Sequence, residues 1–196
     1  MDSSTVPFIN LSTFTRPLTL SDDWYTYTLH MDQNRLMINV KCNAQDRHIS
    51  KARPINISIP DWIDYAINLQ RCFEGYHSIM DISALSSIDS SKIVCTELMC
   101  HGLWHLKDIS PLSSWDVSNN HNMSGMFWEC IDLKDLTPIS SWKIHDECVL
   151  SGFYSRWGHT DDYTNRPPLP WGDVNIKRSR LAIPAWLVEK HMNHRH

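Results

Sequence analysis

The sequence predicts an α/β solenoid: a short stack of repeated units, closed by a β-hairpin and helix at its N-terminal end and by a strand and helix at its C-terminal end. Three observations lead there. A 27-residue stretch recurs in the middle of the chain, the N-terminal third alternates apolar and polar residues as strands do, and a strand–proline–helix pattern flanks the repeats on both sides. The implied boundaries are 1–78 for a β-rich cap with a helix, 79–159 for three repeats, and 160–196 for a C-terminal cap.

In the cap, residues 23–31 are rich in Trp, Tyr and Thr and alternate in character, and residues 36–40 form a second such run after Asp32-Gln33-Asn34. That is a hairpin pattern. Residues 54–59 read as a third strand of period two, and Pro60 is expected to open a helix over 61–69 that ends near Gly75.

The repeat is the strongest signal. Residues 106–132 and 133–159 share nine identities: Leu106/Leu133, Lys107/Lys134, Asp108/Asp135, Pro111/Pro138, Ser113/Ser140, Ser114/Ser141, Trp115/Trp142, Ser124/Ser151 and Gly125/Gly152. Residues 79–105 join in the same register through Asp81-Ile82-Ser83 and Leu85-Ser86-Ser87. One unit cannot bury its apolar side alone, so neighbours must stack, and a short helical turn carrying Met123, Met126 and Phe127 is expected in each. The stacked Asp81, Asp108 and Asp135 would repel unless each carboxylate accepts backbone N–H bonds within its own turn.

Trp115-Asp116-Val117-Ser118-Asn119, followed by Asn122-Met123-Ser124-Gly125-Met126-Phe127, resembles the signature of the BspA-type leucine-rich repeats. The likeness is specific over 106–127, fair over 133–154 and faint over 79–105. Two departures stand out: Asn120-His121 replace the family's Val-Thr, and Lys143-Ile144-His145-Asp146-Glu147-Cys148 replace its whole Asp-Val-Ser-Asn-Val-Thr phrase. The resemblance implies a degenerate leucine-rich-repeat-like array. Members of that family are mostly surface, adhesion or partner-binding proteins, found also in protists and viruses, so it implies binding without naming a ligand. Downstream, Leu181-Ala182-Ile183-Pro184-Ala185-Trp186-Leu187 echoes Ile57-Ser58-Ile59-Pro60-Asp61-Trp62-Ile63 and predicts the second cap.

Composition narrows the function. A net charge of −4 with no lysine- or arginine-rich run argues against nucleic acid as the main partner. No segment reaches the roughly 18–20 apolar residues of a membrane helix. Six cysteines behind an N-terminus without a basic or apolar leader point to free thiols and a cytoplasmic setting, which for a viral protein would be the host cytoplasm or the virion. The sequons at Asn10, Asn56 and Asn122 would then go unused.

Several motifs invite chemistry and are read structurally. Cys95, Cys100, His101 and His105 are zinc-ligand types, but Cys100 occupies the repeat position of Phe127 and Tyr154, a core slot. Gly102 stands where an HExxH glutamate would be. His191, His194 and His196 read as a frayed tail, and Arg166-Pro167-Pro168-Leu169-Pro170 as a packing linker. No nucleophile elbow, phosphate loop or paired-cysteine motif occurs. No cofactor, metal or catalytic residue is therefore expected.

The function expected is non-enzymatic binding of a protein partner, with a virus- or phage-borne binder of a host protein as one form of it. Its contact residues should be exposed repeat positions that do not follow the core pattern: Asp116, Asn119, His121, Trp128, Lys143, His145 and Arg156. Trp128 stands out because its repeat partners are His101 and Ser155: it reads either as an exposed hot spot or as a side chain packed against the next repeat or the cap. The second reading is an assembly subunit, such as a minor virion component, with self-association or a large permanent interface.

Overall fold

The computed structural model describes residues 16–57, 59 and 61–154. Five strands form one mixed sheet in chain order: β1 (Leu18–Ser21), β2 (Tyr25–Asp32), β3 (Arg35–Cys42), β4 (Tyr65–Asn68) and β5 (Ile93–Cys95). The first two pairings are antiparallel, and β3–β4 and β4–β5 are parallel. Among the described residues the ordered remainder consists of turns and short 3-10 segments, with no α-helix. This overturns the α/β solenoid: the fold is a mostly β, single mixed sheet. Nor is any helix among these residues long and apolar enough to cross a membrane. The expected C-terminal cap at 160–196, the prolines at 167–170 and the histidine tail lie outside the described residues.

The hairpin forms in the expected place. Asp32 pairs with Arg35 across Gln33 and Asn34, with Gln33 at φ 53°. Tyr25, Tyr27 and Leu29 turn inward and pair with Cys42, Val40 and Ile38, while the intervening residues stay half-exposed. Residues 61–69 depart from expectation. They hold strand β4, whose residues from Tyr65 to Asn68 pair with residues 36–39 of β3. An apolar run that short satisfies helical and strand periods alike, and the parallel partner decides the outcome. Residues 54–57 form no strand either. Pro54 has no N–H to offer, and the chain there is held by the Tyr25 hydroxyl, which donates to the Arg53 carbonyl at 2.6 Å, and by burial of Ile55.

The repeat units stack at their sequence register. Every second amide donates to a carbonyl 26 residues further on: Leu69 to Cys95, Arg71 to Glu97 and Phe73 to Met99, then Thr96 to Asn122, Leu98 to Ser124, Cys100 to Met126 and Gly102 to Trp128, then Met123 to Val149, Gly125 to Ser151 and Phe127 to Phe153. That alternation is the bonding of parallel strands, carried on through turns. Parallel bridges join Cys95 to Asn122 and Asn122 to Val149. The expected helical turns do not form, because a left-handed residue recurs in each unit: Arg71, Leu98, Gly125 and Gly152, with φ of 57°, 54°, 59° and 62°. A right-handed helix cannot run through such a residue.

The aspartate ladder is resolved as expected. Asp81, Asp108 and Asp135 each accept from the amide two residues on, that of Ser83, Ser110 and Thr137, all at 2.8 Å. These bonds from Ser83, followed by the Lys51 ammonium at 3.0 Å, pull the Asp81 carboxyl down to about 2. Its folded value lies below the ordinary 3.8, so its stabilisation is full above that value and is lost as pH falls toward about 2. Asp81→Asn is expected to flatten the acid limb of the melting temperature over this window. Solvent screening keeps the effect small, and thermal melts from neutral pH to about pH 2 check it.

Candidate partner-binding surface

The residues singled out by sequence divide by burial. Asp116, Asn119, His121, Lys143 and His145 are all exposed, and they fall on neighbouring positions of two stacked units. The Asp116 carboxylate accepts from the Ser118 amide at 3.0 Å while its own amide donates to Ser90 Oγ at 2.8 Å. Those Ser118 bonds, with the Lys143 charge as a lesser cause, hold its carboxyl below the usual range. Asn119 is tied back to the preceding unit, its Nδ2 donating to the Ser91 carbonyl at 2.9 Å. The His121 and His145 rings meet edge to face with centroids 5.4 Å apart. Next to them Val149 is 47% exposed, and its amide donates to the His121 carbonyl at 2.9 Å. The surface is thus one exposed valine and two imidazoles, bordered by Asp116, Lys143, Asp146 and Glu147, all exposed. A polar row flanks it, where Gln70 Nε2 and Asn122 Nδ2 both donate to Glu97 Oε2, at 2.9 and 3.0 Å.

Trp128 is not an exposed hot spot. It is 3% exposed and pairs with Leu98 in a small apolar cluster of its own. Its ring lies 5.5 Å from that of His101, whose Nδ1 is 3.5 Å from Glu74 Oε1, and Glu74 Oε2 is 3.5 Å from Arg71 Nη1. The polar residues at the repeat positions of Trp128, Glu74 and His101, therefore face inward and lie within ion-pair distance of each other. Arg156 lies outside the described residues.

Two exposed tryptophans went unmarked in the sequence. Trp104, 39% exposed, stacks on His77 at 4.0 Å and 16°, and exposed Ile131 occupies the same repeat position one unit on. Trp62, 69% exposed, sits in the turn before β4, where a helix was expected. Aligning His77, Trp104 and Ile131 at the 27-residue shift was the available signal for the first. Nothing in the sequence marked the second.

The cysteine and histidine cluster does not converge. Cys100 is fully buried in its core slot, and burial pushes its thiol well above the ordinary range, as it does for Cys72 and Cys130. His105 Nδ1 faces Asp132 Oδ2 at 3.4 Å while His101 faces Glu74, so the two imidazoles serve different carboxylates. Among the described residues no group of three or more His, Cys, Asp or Glu is placed to hold a metal ion.

The stacked region coincides with a known family. Residues 47–157, more than half of the chain, match the family described as "Mycoplasma protein of unknown function, DUF285". The chain belongs to the DUF285 family. The match begins ahead of β4 and ends just past the last described turn, so the DUF285 region carries the stacked units and the exposed surface, and the hairpin precedes it. No curated protein and no solved structure matches the chain.

Proposed function

We propose that this DUF285 protein is a non-enzymatic binding module that docks a protein partner on the surface formed by Asp116, Asn119, His121, Lys143 and His145. The observation that carries the reading is the meeting of the exposed His121 and His145 rings beside exposed Val149. An exposed valine beside two imidazoles, with a charged border, offers a partner a small central contact and a polar rim. The likeness of 106–127 to BspA-type repeats supports the same reading, because partner binding is common in that family and DUF285 is related to it. The decisive experiment is affinity capture of the tagged full-length chain from its native cell, with a His121→Ala/His145→Ala variant as control. One protein partner is expected, its recovery falling about tenfold or more in the variant. Equal recovery by both forms would move the site elsewhere.

Assembly is the second reading, favoured by three large apolar side chains outside that surface: Trp62, Met80 and Trp104. It predicts a concentration-dependent oligomer in light scattering, and capture of the chain itself alone.

A further inference from the structure

Between the start of β2, the connecting segment 49–54 and the 3-10 turn Ser83–Ser87 lies a cavity of about 650 Å³. Its wall includes Trp24, Ile49, Lys51, Arg53, Pro54 and Ser83. The volume falls within the range of about 300–1,000 Å³ typical of small-ligand sites. The wall is amphipathic in a particular way: an aromatic and aliphatic floor, two cations, and no carboxylate among the described residues that line it.

The two cations differ. Lys51 Nζ is engaged by Asp81 Oδ2 at 3.0 Å. The Arg53 guanidinium lies 4.9 Å from the centre of the Trp24 ring, and no carboxylate among the described residues is within ion-pair distance of it. The nearby Asp22 does not compete for it. Its Oδ1 accepts the Trp24 and Tyr25 amides at 2.7 and 2.6 Å, and its Oδ2 accepts the Tyr27 hydroxyl at 3.2 Å. A planar guanidinium laid on an indole is pre-oriented, and its outer N–H fork suits a two-oxygen acceptor.

We infer that this cavity is a binding site for a carboxylate carried on an apolar or aromatic body, its oxygens on Arg53 and its body against Trp24, Ile49 and Pro54. The carboxylate belongs either to a free organic acid or to the C-terminus of a peptide, and the two share this chemistry. The site is separate from the His121/His145 surface, and stands or falls independently of it.

The test is a titration of the full-length ¹⁵N-labelled chain, following the Trp24 indole N–H by NMR. The probes are 3-phenylpropionate and acetyl-Ala-Phe with a free carboxylate, each against its amide. The acids are expected to shift the Trp24 resonance and to bind about tenfold or more tighter than the amides. Tighter binding of the peptide acid assigns the site to a peptide terminus, and tighter binding of phenylpropionate assigns it to a free acid. Arg53→Met is expected to weaken either acid about tenfold, and Lys51→Met less, since Asp81 already holds Lys51. If Arg53→Met melts lower than the parent, Arg53→Lys replaces it, and several-fold weaker binding is expected from loss of the fork alone. Equal binding of acid and amide, undiminished binding by a stably folded Arg53 variant, or no shift at Trp24 up to about 10 mM probe would overturn the inference.

Discussion

Trp115→Ala is expected to destabilise the protein by about 3–5 kcal/mol, the cost of emptying an aromatic core position. Trp115 is 5% exposed, lies nearly parallel to Trp142 with centroids 6.5 Å apart, and donates its indole N–H to the Leu85 carbonyl at 3.2 Å. Trp142 repeats the device one unit on, donating to the Leu112 carbonyl at 2.9 Å. Each tryptophan thus clamps its own unit to the previous one, and alanine loses both the packing and the donor. Trp115→Phe separates these contributions. It keeps most of the ring but leaves the Leu85 carbonyl with only the Ile88 amide, a cost of about 0.5–1.5 kcal/mol. Urea unfolding monitored by far-UV circular dichroism measures both variants. Because the clamp joins successive units, a two-state transition is expected to move as a whole, with its denaturant slope unchanged. A second transition, with the hairpin sheet melting separately, would show that the units do not support it.

Most of the stacking was legible in the sequence, and most of the secondary structure was not. The 27-residue shift aligns Leu106 with Leu133, Trp115 with Trp142 and Asp108 with Asp135, and the structure places each pair in one column with the expected turn hydrogen bonds. Repetition reports packing directly, since stacked positions must suit one another. Helix and strand were harder, because residues 61–69 carry an apolar pattern that fits either. What decides β4 is its pairing with β3, about thirty residues away in the chain and invisible to a local pattern.

The surface was half legible for a related reason. Reading departure from the core pattern as a sign of exposure served for His121 and His145, both exposed. It failed for Trp128, because Glu74 and His101 turn inward and pair. Asn120 shows the same effect. It replaces an apolar residue of the BspA-type pattern, yet is 1% exposed, its Nδ2 donating to Thr96 Oγ1 at 3.0 Å. A polar residue in a stacked column is outside only if nothing beside it can satisfy it.

Gly125→Ala is the second large effect expected, at about 2–5 kcal/mol, the sum of a left-handed backbone cost and an overpacking cost. Gly152 provides a control within the same chain. The two glycines occupy equivalent repeat positions with φ of 59° and 62°, so alanine meets the same backbone penalty at both, about 1–2 kcal/mol. Their surroundings differ. A Cβ on Gly125 would stand 2.6 Å from Leu98 Cδ2 and 3.4 Å from the Trp128 ring, whereas a Cβ on Gly152 would meet nothing within 4 Å. The difference between the two alanine variants, read from urea midpoints, therefore isolates the contact between Leu98 and the turn below it. Leu98→Ala in the Gly125→Ala background sharpens the test. It removes the clashing methyl, so the double variant is expected to be more stable than the sum of the single losses predicts. Equal losses at Gly125 and Gly152 would mean that Leu98 moves aside at no cost, and that conformation alone keeps this position glycine. Leu98 and Arg71 hold the same left-handed conformation two and three units before Gly152 and one and two before Gly125, so side chains are tolerated in this column wherever the next unit leaves room. Steric closeness to Leu98, over which Trp128 packs, is then what sets Gly125 apart from Gly152.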